Sequence, residues 1–573
     1  MFIADFRKDF FDVILHQRVL VLVAVDVDAI CACRILQSLF QCDHVQYTLV
    51  PVTGRQDLEK AFLEHSEQIK HVVMINCGAN IDILDVLQPD ENVMFYICDS
   101  HRPIDLVNVY NETQVKLLMK REDDFSNIPD YDKIFRDDDD SEEDEDDSGN
   151  ESDSSAPSGK RRRLDEDSLE RRMERRRERR LWEEERQDIL FRYEEFTYHG
   201  TSSAIVLYEE LAWKMSKDTN EMLWLTIIGL MSQIIIGKIE RDKYVSDVDE
   251  LNRHVSRLNH ALNDQDMAVS VDCLRIAFNR ELRLSLYRHW SIFDSLCHSV
   301  YTACSFKVWT MKGKKRLHEF LADMGLPLVQ CKQKYSAMDM ALRESFSEWI
   351  NKSAEKFGLD DIFLPSFQAQ YGYKNKFCAA DVVHAVGAIL ESVDKDKTAE
   401  QKFLRAYDSL ARKNLDYLLS GLDAAKKQLI AIMEQVRTLL DMNHVICAGP
   451  FLYAYIQGGS ADAQFFSHPI CLTMLARFTL EAYINASKSK RAKTLPLVMC
   501  APLDLDRGTS IVVGIPPKRE QEILVKNFFG RAFEQAGEKT HSRTLFDNFE
   551  SSVIEMKTED RSKFFDALIS LLS

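Results

Sequence analysis

From Arg18 to Val25 the chain reads RVLVLVAV, an unbroken apolar, β-branched run of the kind found in a strand covered on both faces. Ala29–Phe40 follows with Ile30, Cys33, Leu36, Leu39 and Phe40 at helical spacing, which predicts a helix with one buried stripe. The alternation continues with strands over Val45–Val50, Val72–Asn76 and Val93–Cys98 and helices over Asp57–Ser66 and Ile81–Leu87. Strands and helices taken in turn imply right-handed crossovers and a doubly wound parallel sheet, an α/β fold. In such sheets the chemistry gathers beyond the carboxyl ends of the strands. Asp26, Asp28, Asn76, Asp99 and His101 all stand at such ends.

Beyond Thr201 the pattern is almost wholly helical until about residue 440. Helices are expected over Ser203–Lys214, Glu221–Ile236, Val245–Asn263, Ile292–Thr302, Ser336–Lys356 and Ala379–Val393. A broad apolar stripe over Ala399–Leu440 predicts a long helix, with Gly421 the expected break or bend. Strand signals return at His444–Ala448, Phe451–Ile456, Leu495–Cys500 and Ser510–Ile515. Helical patterns cover Cys471–Tyr483, Glu520–Gln535, Leu545–Met556 and Arg561–Leu572. That predicts a small C-terminal α/β domain. The most apolar segment, Met222–Gly237, is too short for a bilayer and carries Thr226, Ser232 and Gln233, so no membrane partner is expected.

Charge changes the picture between these regions. The 573 residues hold 73 basic and 92 acidic side chains, a formal net charge of −19, which disfavours a generally basic DNA-coating protein. It leaves a local strand-binding groove open, because net charge averages over faces. Residues 137–153 are almost continuously acidic, and self-repulsion predicts disorder there. The run is a solvating linker or bait for a basic partner, and Ser141, followed by acidic residues, is an acid-directed phosphorylation candidate. Lys160, Arg161, Arg162 and Arg163 form a candidate nuclear import signal. Arg171–Arg192 mixes Arg and Glu at helical spacings, a solvated helix that needs no core. The 13 cysteines are scattered and mostly in apolar runs, as expected of reduced intracellular thiols, and Cys31-Ala-Cys33 alone cannot build a zinc site. The opening MFIADFRKDFFDVI, with aspartates inside its apolar stretch, does not read as a signal peptide.

Carboxylates and an imidazole at strand ends suit a pair of Mn²⁺ or Mg²⁺ ions, which could bridge a phosphate and generate hydroxide. Strand-Asp26-Val27-Asp28-Ala29-helix, Asn76-Cys77-Gly78 after the third strand and Asp99-Ser100-His101 after the fourth resemble the DHH phosphoesterases. That resemblance implies a parallel-sheet DHH domain, a helical connector and a C-terminal DHHA1-like domain. The departures from the pattern decide what chemistry to expect. The first motif lacks an Asp and a Gly, Asn76 stands where an Asp is expected, and Ser100 replaces the first His. In Ile228-Gly229-Leu230-Met231-Ser232-Gln233, Gln233 stands where the family carries an Asp. Amides keep shape and lose charge, so a site for two dications loses affinity with each replacement. Asp26, Asp28, Asp99 and His101 are then vestigial ligand positions; no catalytic residue, metal or cofactor is expected.

The stretches VLVLVAVDVDAICACRIL and YICDSHRP, with the acidic insertion and the helical middle, closely resemble the eukaryotic, RecJ-like replication factors of that superfamily. This implies a nuclear, non-enzymatic subunit of the replicative helicase that joins the minichromosome-maintenance ring and GINS. Replicative DNA polymerases, other fork factors and single-stranded DNA are the further partners expected. The expected division is a parallel-sheet core over 1–136, an acidic insertion over 137–165, a charged helix over 166–200 and helical completion over 201–289. An inserted helical domain is expected over 290–395, a connecting helix over 396–442 and the DHHA1-like domain over 443–573. The alternatives are an active manganese-dependent phosphoesterase or single-strand exonuclease, and a cytosolic scaffold unrelated to DNA.

Bland readings stand beside these. Asp28 suits an N-cap for Ala29–Phe40, and His101 could satisfy loop carbonyls. Lys488, Lys490, Arg491 and Lys493 follow a helix, where cations suit the dipole as well as nucleic acid. The pairs Phe10-Phe11, Phe465-Phe466 and Phe528-Phe529 are expected in the core rather than as stacking platforms.

Overall fold

The apolar run at Arg18–Ala24 forms the second strand of a five-stranded, fully parallel sheet in a computed structural model of the chain. The structure describes residues 1–66, 69–120, 127–135, 166–264, 274–371, 375–394, 396–459, 461–518 and 525–573. Across the sheet the strands run Gln46–Val52, Arg18–Ala24, His71–Ile75, Met94–Cys98 and Val115–Leu117. Val19 to Ala24 are buried on both faces, which explains their unbroken hydrophobicity. The strand order reverses between Arg18–Ala24 and His71–Ile75, so the crevice beyond their carboxyl ends is the switch point of the sheet. Asp26 and Asn76 leave that crevice's two walls.

Helix Val27–Cys42 packs its Ile30, Cys33, Leu36, Leu39 and Phe40 inward as expected. Helix Asn220–Ile236 covers it, and Gly229 permits the approach. A Cβ there would lie 2.7 Å from Asp28 Oδ1 and 2.8 Å from Ala204 Cβ. The helix at Ser203 begins as α through Leu207 and continues as a π-helix over Tyr208–Trp213.

The middle region is less helical than its pattern. Arg275–Leu282, Phe363–Tyr371 and Asn375–Cys378 form a three-stranded antiparallel sheet. Arg275–Leu282 carries Arg275, Asn279, Arg280 and Glu281 among its apolar residues, and Phe363–Tyr371 is interrupted by Pro365. Neither keeps a long apolar alternation, so the strands were hidden. The helices between Ile292 and Phe357 lie between these two paired strands in sequence. The long stripe splits into helices Ala399–Ser409 and Leu415–Asp441, broken at residues 410–414 and not at Gly421. Gly421 sits inside the second helix because a Cβ would meet the Ala385 carbonyl oxygen at 2.7 Å. It is a close-packing glycine, not a hinge.

The C-terminal sheet has six strands: Val445–Cys447, Leu452–Tyr455, Leu497–Asp504, Thr509–Ile515, Val553–Lys557 and Thr544–Leu545. The expected helix Leu545–Met556 is therefore wrong. Val553, Ile554 and Met556 are buried, and Val553–Lys557 is registered antiparallel against Thr509–Val513, so pairing with that strand overrides the helical spacing. Helices Pro469–Ala486, Phe529–Thr540 and Arg561–Leu572 complete this region. Residues 124–196 form a separate unit, in which helix Glu166–Glu194 matches the mixed Arg/Glu pattern and Arg186 Nε donates to the Ile134 carbonyl at 2.8 Å. Among the described residues no helix is long and apolar enough to cross a membrane.

Candidate functional site at the sheet switch point

Asp26, not Asp28, caps helix Val27–Cys42: its Oδ1 accepts from Ala29 N at 2.9 Å. The cap reading was right in kind and two residues off. Asp28 lies inside the first turn, 4% exposed, and faces the crevice. Its carboxylate accepts from Ser203 N at 2.9 Å, Ala204 N at 3.2 Å and the Ser202 hydroxyl. These are the opening donors of the helix that begins at Ser203, so Asp28 sits against a helix N-terminus contributed from far along the chain.

Asn76 occupies the centre. Its Nδ2 donates to Asp28 Oδ2 at 3.2 Å and approaches both Asp26 oxygens at 3.3 and 3.4 Å. Its Oδ1 accepts from Ser100 N at 3.2 Å and from Ser203 Oγ at 2.6 Å. The backbone at Asn76 takes φ +55°, a left-handed conformation that asparagine tolerates better than most side chains. The amide N–H groups therefore satisfy both carboxylates without cancelling their charge, and every side-chain atom of Asn76 able to hydrogen-bond is engaged.

Asp99 is likewise enclosed. Its Oδ2 accepts from Gly78 N and Ala79 N at 3.0 and 2.9 Å, and its Oδ1 from His101 N and Nδ1 at 2.9 and 2.7 Å. Burial works against both charged forms, yet the opposite charge and shared hydrogen bonds hold Asp99 below the usual carboxylate range and raise His101. His101 thus pairs with a carboxylate and not with loop carbonyls. Asp28 titrates upward, chiefly because it is buried and then because Asp26 lies close.

Gln233 does not join this group. It is 1% exposed, its Nε2 reaches the Gly200 carbonyl at 3.5 Å, and its Oε1 has no hydrogen-bond partner. Gly229, one turn earlier, is the residue that meets Asp28. The donors supplied by Ser202 and Ser203 carried no sequence signal, since they are 174 and 127 positions from the side chains they serve.

A cleft of about 1010 Å³ opens beside the crevice and is lined by Asp26, Asn76, His101, His199, Lys238 and Glu550 near the sheet. Farther out it meets Arg241, Arg283, Arg288, Arg477 and Lys518. Most of these cations already have acidic partners: Arg288–Glu281 at 2.8 Å, Lys518–Glu481 at 3.1 Å and Arg241–Asp361. Lys488, Lys490, Arg491 and Lys493 lie on the surface after helix Pro469–Ala486, away from the cleft lining, and Arg491 donates to the Gly449 carbonyl. Phe10, Phe11, Phe466 and Phe529 are fully buried, and Phe465 and Phe528 pack against the core. Ser141 and Lys160, Arg161, Arg162 and Arg163 lie outside the described residues.

A family model described as CDC45 matches residues 19–571. The chain belongs to the CDC45 family. It is 56% identical over 573 residues to the human cell division control protein 45 homolog, covering 100% of both chains. The Dictyostelium discoideum protein of the same name is 34% identical over 622 aligned positions, covering 97% of this chain and 96% of that one. A crystal structure of CDC45 from Entamoeba histolytica has 22% sequence identity and a TM-score of 0.69 over 100% of each chain, which supports the fold. The CDC45 family places the chain in DNA replication. Twelve cysteines among the described residues are free thiols, ten of them buried or half-buried.

A dinuclear metal centre of the kind the DHH resemblance implies does not fit these residues. Such a centre needs carboxylate lone pairs facing the ions. Here the Asn76 amide points N–H groups at Asp26 and Asp28, and backbone N–H groups and His101 consume both oxygens of Asp99. The protein's own N–H donors engage the carboxylate oxygens that such ions would need.

Proposed function

We propose that this CDC45-family protein is a non-catalytic subunit of the eukaryotic replicative helicase, acting in the nucleus and bridging the minichromosome-maintenance ring and GINS. The observation that carries it is the Asn76 side chain, whose Nδ2 lies between the carboxylates of Asp26 and Asp28. A hydrolytic site at this switch point would need anionic ligands there; the amide replaces them and locks the survivors into a hydrogen-bonded network. The helices between Ile292 and Phe357, flanked by two neighbouring strands, supply an insertion whose exposed Met311 and Val329 suit a protein partner. Replicative polymerases and other fork factors are the further partners in this proposal.

Single-stranded DNA binding in the cleft is weak under this reading, because Arg288, Arg241 and Lys518 are paired with Glu281, Asp361 and Glu481 before any phosphate arrives. The proposal keeps Lys160–Arg163 as the import signal and Ser141 as a site that tunes the charge of residues 137–153. Recovery of tagged protein from S-phase nuclear extract tests it. The minichromosome-maintenance ring and GINS should co-purify together; consistent recovery of neither overturns the assignment.

A further inference from the structure

His101 and His199 stand opposite one another in a two-stranded antiparallel ladder that joins His101–Arg102 to Tyr198–His199, and their ring centroids lie 5.0 Å apart. Glu550 reaches the same place from the turn before Val553–Lys557, with Oε2 3.0 Å from His199 Nε2. One donor atom from each of these three side chains lies within 4.8 Å of the other two. Both histidines are buried, and all three residues line the cleft, so an ion and water can reach them.

The surrounding contacts orient the three. His101 gives Nδ1 to the Asp99 carboxylate at 2.7 Å, which leaves Nε2 as its remaining donor. Carboxylates hold metal-binding histidines in this way, fixing the tautomer and the ring orientation. Glu550 Oε1 accepts from Ser552 Oγ at 3.2 Å, which leaves Oε2 facing His199. His199 Nδ1 is buried with no hydrogen-bond partner. The Nε2 that faces Glu550 is therefore the ring nitrogen turned toward the cluster.

We propose that His101, His199 and Glu550 form a mononuclear site for a borderline transition-metal dication of the zinc class, with a fourth position open to the cleft. Two imidazoles and one carboxylate are a ligand set that zinc takes in three-ligand sites. Bonds of about 2.0–2.2 Å put tetrahedral donors about 3.4 Å apart, so spacings of up to 4.8 Å close while the 3.0 Å His199–Glu550 contact opens slightly. This differs from the pocket of Asp26, Asp28 and Asn76, where N–H donors fill the space between the carboxylates. His101 follows the fourth strand of the parallel sheet, His199 stands opposite it in the ladder, and Glu550 precedes a strand of the C-terminal sheet. A bound ion therefore clasps sequence-distant parts of the fold and stabilises it.

Lys238 opposes the ion. Its ammonium lines the same cleft as the three ligands, so removing that charge tightens the site.

The test uses the full-length chain stripped with chelator and titrated with Co²⁺, then with Zn²⁺. One equivalent of Co²⁺ should give visible ligand-field absorption that Zn²⁺ displaces, and the melting temperature should rise with zinc concentration. His199→Gln and Glu550→Gln should each weaken binding by about 10- to 100-fold or more, whereas Lys238→Met should strengthen it. Absence of the cobalt bands in the unsubstituted chain overturns the proposal whatever the variants do. So does cobalt binding of unchanged affinity in both His199→Gln and Glu550→Gln, which would place the ion elsewhere, such as the acidic residues 137–153.

Discussion

Replacing Asn76 by Asp restores a carboxylate to the centre of the switch point, and its cost follows from the contacts. The new side chain still accepts from Ser100 N and Ser203 Oγ, but it no longer donates to Asp26 and Asp28. A second negative charge about 3.2 Å from Asp28 Oδ2 costs about 5 kcal/mol at an effective dielectric constant of about 20. Protonation limits that cost. An Asp that ionises near pH 3.9 when unfolded takes a proton instead, at about 1.36 kcal/mol per pH unit, which caps the charge penalty at about 4 kcal/mol at pH 7 and about 1.5 kcal/mol at pH 5. A protonated carboxyl donates to only one neighbour, and the lost hydrogen bond adds about 1 kcal/mol. The sign follows from the raised folded-state pKa. The penalty is present above the unfolded value and relieved as pH falls toward it, and Asp28, already raised by burial and by Asp26, moves in the same direction. Urea unfolding of both proteins, followed by tryptophan fluorescence in chelator at pH 7 and pH 5, measures the difference. A loss below about 1 kcal/mol at pH 7, or one equal at both pH values, would show that the amide is not the group that satisfies these carboxylates.

Three further outcomes are expected. Gly421→Ala should lower the melting temperature, because about 1 kcal/mol of helix propensity does not offset a Cβ placed 2.7 Å from a backbone carbonyl; a rise in thermal denaturation would contradict the packing role. His101→Phe should destabilise most between about pH 4 and 6.5. Asp99, held low from 3.8, contributes above its unfolded value, and His101, raised from 6.5, contributes fully below its own and loses that as pH rises, so an effect that grows toward pH 8 would refute the pairing. Asn76→Asp combined with Gln233→Asp should still bind manganese poorly by calorimetry, since Gln233 faces Gly200 and not Asp28; tight binding of two ions would mean that Gln233 swings into the pocket.

Much of the parallel sheet was legible because its three central strands are buried on both faces, and Arg18–Ala24 could scarcely be anything else. The fifth strand, Val115–Leu117, is three residues long and leaves no periodic trace. The three-stranded sheet at Arg275–Leu282 was hidden by its own polar residues, and Val553–Lys557 by a helical spacing that pairing with Thr509–Val513 overrode. Asp26, Asp28, Asn76, Asp99 and His101 could be grouped from sequence because each follows a strand of one sheet. Ser202, Ser203, His199 and Glu550 could not. They arrive through contacts spanning up to 351 positions, and only the folded chain shows that the serines satisfy Asp28 and Asn76.

The most direct measurement is manganese titration of the purified chain together with release of nucleotides from single-stranded DNA, set beside anomalous scattering from manganese-soaked crystals. Carboxylate oxygens already engaged by N–H donors predict no pair of ions beside Asp26, Asp28 and Asp99 and no turnover. Two ordered ions there, with hydrolysis that Asp99→Ala abolishes, would contradict it.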